Sequence, residues 1–73
     1  MENEAQVFNI ILDHIADMQN AKNMESLNHK LAYIEGELFI SQFLISQENL
    51  NDLYKKKDDV YEIFKSVLKT KAG

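Results

Sequence analysis

From Leu27 to Ile45 the chain reads LNHKLAYIEGELFISQFLI, and no other stretch constrains the fold as strongly. Leu27, Leu31, Ile34, Leu38, Ser41 and Ile45 are separated by 4, 3, 4, 3 and 4 positions, which stacks their side chains along one side of an α-helix. Six of the eight residues from Leu38 to Ile45 are apolar, and in a helix they point nearly all the way round the axis. A segment of that kind is expected to be covered on more than one side.

Helical periodicity extends to both flanks. Val7, Phe8, Ile11, Ile15 and Met18 recur at helical spacing, with Ile10 and Leu12 widening the stripe, and predict an amphipathic helix over about 4–19. Glu2 and Glu4 lie where a helix N-terminus favours negative charge. The pattern lapses at 20–23. There Asn20 is suited to the left-handed conformation that ends helices, and Asn23 to the N-cap of the next one. A second helix follows over about 24–46, interrupted by Gly36. That glycine reads either as a tolerated defect on an exposed face or as a point where another backbone approaches closely.

Ser46-Gln47-Glu48-Asn49 marks the next break. No glycine or proline enforces a turn there, and a second row, Tyr33, Gly36, Ile40, Phe43, Gln47, Leu50, Tyr54 and Lys57, keeps the 3–4 alternation running through it. A continuous helix from Met24 to Lys69 is therefore the competing reading. A turn is preferred because the row through Ile45 meets polar Glu48 and Asp52, with Ser46 or Asn49 available to cap a new helix. The third helix, about 49–70, carries the seam Leu50, Tyr54, Lys57, Tyr61, Phe64 and Leu68, with lysines gathered at its C-terminal end.

The expectation is an all-α fold: an antiparallel three-helix bundle, a helical hairpin plus a short N-terminal helix, with residues 1–73 as a single helical domain. Seventy-three residues without a cysteine hold a small core and no disulfide or thiolate metal site to reinforce it. Association with a second chain into a larger bundle is expected for that reason.

Chemistry-bearing constellations are sparse. His14 with Met18, Asp13 and Asp17 lacks the second ligand set that haem or a metal needs. His29 shares a helical face with Glu25 and Tyr33, which reads as a surface pair. The neighbouring acids Glu35/Glu37 and Asp58/Asp59 point apart on a helix and cannot share a proton. No serine has the strained-turn setting of a nucleophile. The expectation is accordingly no enzyme, no metal, no cofactor and no small-molecule substrate.

Net charge is −4, with eight lysines and no arginine, the side chain best suited to gripping phosphate. The one basic run, Lys55-Lys56-Lys57 between Tyr54 and Tyr61, is offset by Asp52, Asp58 and Asp59. Nucleic acid is thus the alternative partner, through a helical dimer displaying Lys55–Lys57, and not the first choice. No apolar run is long enough to span a membrane, and the N-terminus is acidic where a signal peptide would be basic, so a cytoplasmic location is expected.

The apolar residues exceed what three short helices need. The expected function is protein–protein interaction, as an adaptor, chaperone or inhibitor of a larger partner, with the chain itself as a second expected partner. The expected interface is an apolar stripe of Phe39, Ile40, Phe43, Leu44, Tyr54 and Tyr61.

Overall fold

The computed structural model describes residues 4–72. Helix α1 spans Glu4–Ala16, a 3-10 turn covers Asp17–Asn20, α2 spans Met24–Ser41 and α3 spans Gln47–Ala72. All three helices pack on one another in an elongated bundle with extents of 47 × 17 × 16 Å. Cross-links fix the antiparallel order of α1 and α2: Glu4 reaches Ser46 at one end, and Asp17 reaches Lys30 near the other. In the α2–α3 hairpin, Lys57 meets Glu35 and Tyr61 meets Asn28. The expected all-α three-helix bundle is what forms.

The core lies on the axis of the bundle. Ile11 and Ile15 of α1 and Met18 of the 3-10 turn meet Leu27, Ile34, Leu38 and Ile45 from the second stretch, and Leu50, Leu53 and Leu68 of α3. The row that opened the sequence argument faces inward throughout: its members are buried except Leu31, which is half-buried against the same core. Ser41 is buried within this row as well. No buried side-chain polar atom among the described residues lacks a hydrogen-bond partner.

Three boundaries differ from expectation. The first helix tightens to 3-10 geometry at Asp17, where the Asp17 carboxylate is drawn to Lys30 at 2.7 Å and to Asn20 at 2.7 Å. No described non-glycine residue has positive φ, so Asn20 does not adopt the left-handed state; Ala21 simply extends (φ −64°, ψ 134°). Asn23 caps α2 as its position suggested, its side chain accepting from the Ser26 amide at 2.8 Å.

The second helix stops at Ser41, five residues earlier than expected. The Ser41 carbonyl accepts from both Leu44 N and Ile45 N (2.8 and 3.0 Å), which winds the chain once more and returns Ile45 to the core. The next amide, Ser46 N, is taken by the Glu4 carboxylate at 2.8 Å and cannot continue the α2 ladder. Ser46 then caps α3, its Oγ accepting from Asn49 N at 3.2 Å, so α3 starts at Gln47, two residues before the expected start. A single helix across this region is therefore not formed.

Candidate protein-docking surface

Within one helical turn of its end, α2 divides its apolar residues by direction. Leu38 and Ile45 enter the core, whereas Phe39, Ile40, Phe43 and Leu44 are 65%, 65%, 79% and 62% exposed. Two sit on the last turn of α2 and two on the turn that follows. Because Phe43 N still bonds to Ile40 O (3.4 Å) and Leu44 N to Ser41 O, the turn keeps near-helical winding. Positions 39, 40, 43 and 44 consequently form one contiguous patch opposite the buried row.

The other two residues of the expected stripe lie elsewhere. Tyr54 and Tyr61 are on the core-facing side of α3, half-buried against the central cluster. The Tyr61 hydroxyl donates to Asn28 Oδ1 at 2.7 Å, and the Lys57 ammonium lies 5.0 Å from the Tyr54 ring centroid. The structure therefore brings together Phe39, Ile40, Phe43 and Leu44, and assigns the two tyrosines to the α2–α3 seam.

The lysine run also separates. Its three side chains leave α3 in different directions, as consecutive helical positions must. Lys57 is buried between α2 and α3, bonded to Glu35 at 3.2 Å and paired with Asp58 at 3.1 Å. Burial opposes its charged form, but the hydrogen bonds to Asp58 and Glu35 outweigh that, and its pKa lies above the ordinary 10.5. Lys55 pairs along the helix with Asp59 at 3.4 Å. No sequence-local pattern pointed to the Lys57–Glu35 contact, which joins residues 22 positions apart. The lysine's place in an otherwise apolar row was the available signal.

A shallow groove of about 260 Å³ runs along the α1–α2 seam, lined by His14, Asp17, His29, Lys30, Tyr33 and Ile34. His14 Nδ1 is 2.8 Å from both Glu37 carboxylate oxygens. An ionised carboxylate only accepts, so Nδ1 carries the proton. The His14 ring meets Tyr33 edge to face at 5.4 Å. Glu37 bonds His14 and Asp17 pairs with Lys30, so these polar groups have partners within the chain, beside Tyr33 and Ile34. Among the described residues no three His, Asp or Glu side chains converge to hold a metal ion, and no helix is long and apolar enough to cross a membrane.

No family model, curated protein or solved structure matches the chain.

Proposed function

We propose that this chain is a small non-enzymatic protein–protein interaction module, an adaptor, chaperone or inhibitor, acting through the outward face at the C-terminal end of α2. The observation that carries the reading is the contiguous patch of Phe39, Ile40, Phe43 and Leu44, more than half exposed beside a core that encloses ten other apolar side chains. At 150–250 Å² per large aromatic side chain, the patch presents on the order of 500 Å². That is within the range of about 300–600 Å² for the largest apolar patch of a monomer, a patch that is often functional. Large apolar side chains at i, i+1, i+4 and i+5 suit a helical or grooved protein surface.

Binding of nucleic acid through Lys55–Lys57 is the alternative. The enclosure of Lys57 and the pairing of Lys55 leave Lys56 to face a phosphate, which favours the protein reading.

A photo-crosslinking side chain introduced at Phe43, in cells producing the protein, tests the proposal against the same group at exposed Ser66. Discrete polypeptide adducts from position 43 and none from 66 are expected. If 43 gives no more adduct than 66, the face is not a docking surface. Retention on nucleic acid that weakens steeply with salt would favour the alternative.

A further inference from the structure

The second helix carries two seams, and the bundle uses one. Opposite the buried row, His29, Tyr33, Gly36, Ile40 and Phe43 follow spacings of 4, 3, 4 and 3, the register of helices packed side by side. All five are exposed, Tyr33 by 62%. Glu35 and Glu37 bracket Gly36 in sequence, yet neither loads the seam with charge. Glu35 is drawn to Lys57 on α3 and Glu37 to His14 on α1. From Tyr33 to Leu44 the outward face is uncharged.

Gly36 stands at the middle of this seam. A Cβ there would meet nothing within 4 Å, and the backbone is not at positive φ. Neither a turn nor packing inside the chain calls for glycine, which weakens a helix by about 0.5–1 kcal/mol relative to alanine. A helix crossing over it from outside would use the missing side chain, because only there do two backbones approach closely.

We propose that a second copy of this chain occupies the seam, with the two α2 helices antiparallel and crossing at Gly36 about a two-fold axis. The inference rests on the docking-surface reading above and names the occupant of that surface. With Tyr33 added, the exposed apolar face reaches roughly 600 Å², approaching the ~800 Å² per partner of a standard interface. The face is also self-complementary. Residues equidistant from Gly36 meet across the axis, so Phe39 opposes Tyr33 of the second copy, Ile40 opposes small Ala32, and Phe43 opposes His29. The groove beside His29 and Tyr33 then receives Phe43.

Shape selects the antiparallel direction. An antiparallel pair sets Phe43 of each copy against the groove beside the other copy's His29 and Tyr33, whereas a parallel pair would set the two Phe43 rings against each other and leave that groove unfilled.

Sedimentation of the full chain from micromolar to millimolar concentration is the decisive experiment. A dimer that dissociates on dilution is expected. Gly36→Leu, a change to a better helix former, is expected to keep the helical circular dichroism and weaken association by about tenfold or more; Gly36→Ala, which adds a single methyl at the crossing, should weaken it less. Because the chain has no cysteine, direction is read by oxidising a mixture of His29→Cys and Phe43→Cys chains, which should cross-link to each other. A chain monomeric throughout, a dimer indifferent to Gly36→Leu, or self-linking of Phe43→Cys alone would each overturn the proposal. A monomer whose position 43 still captures another polypeptide loses this occupant but keeps the docking surface; a monomer that captures nothing loses both.

Discussion

Gly36 shows how one position can be neutral to the fold and still informative. It is exposed, its φ is negative, and a methyl group would find open space. Gly36→Ala is therefore expected to stabilise the folded chain by about 0.5–1 kcal/mol, read from the urea midpoint at low protein concentration. A destabilised variant would reveal a contact inside the chain that requires glycine. Lys57 is the opposite case, a charge that the bundle encloses and satisfies. Replacing a buried, paired lysine by an unbranched apolar side chain is commonly neutral or stabilising, so Lys57→Met is expected to unfold at a urea concentration no lower than the parent. Removing its partners is different. The double change Glu35→Gln and Asp58→Asn leaves the ammonium enclosed without a countercharge and is expected to cost about 1–3 kcal/mol. Equal midpoints for the two variants would show that Lys57 reaches water in solution. Reading 55–57 as a displayed basic run passed over the place of Lys57 in an apolar row, and its partner Glu35 lies on another helix at a distance no local pattern encodes.

At the scale of elements, the helices were legible where a cap and a periodic row agree. Asn23 illustrates this: the residue type that caps helices stands just before the inward row begins, and its side chain does bond the Ser26 amide. Asn23→Ala is expected to lower stability by about 1 kcal/mol, with Asn23→Asp restoring most of it, both measured by urea denaturation. If the two variants behave alike, the cap bond does not stabilise α2. The end of α2 was not legible, and the reason is physical. Winding at 42–45 stays close to helical, so the 3–4 spacing of apolar residues continues although the helix has ended. Past that turn, Glu4 arrives from 42 positions away to take the Ser46 amide, so the ladder does not resume into α3. The same limit applies to the interface. Exposure of Phe39, Ile40, Phe43 and Leu44 follows from the inward row on the same helix, whereas Tyr54 and Tyr61 share the periodicity of α3 and are claimed by its own core.

For the molecule as a whole, the margin is small: at 0.05–0.15 kcal/mol per residue, a chain of this length is held by about 4–11 kcal/mol. Clasps between distant segments should therefore register in its pH dependence. Glu4 ties the start of α1 to the start of α3 by accepting from Ser46 N and from Asn49 Nδ2 (2.8 and 2.6 Å), and these bonds hold its carboxyl below the ordinary 4.5. Asp17 ties the 3-10 turn to α2 through Lys30, and that bond, with one from Asn20, holds it below 3.8. Both carboxylates bind a proton less readily folded than unfolded. Their contribution is complete above the unfolded values and disappears as pH falls through the depressed ones. The urea midpoint is thus expected to be insensitive to these groups from neutrality down to about pH 5, and to decline below about pH 4.5. The double variant Glu4→Gln, Asp17→Asn should have a lower midpoint at neutral pH and a shallower acid decline, the two curves converging as the parent's carboxylates protonate. If the acid limb keeps the same slope in the variant, the acid sensitivity resides in other carboxylates, and these two clasps do not hold the α1 end and the 3-10 turn in place.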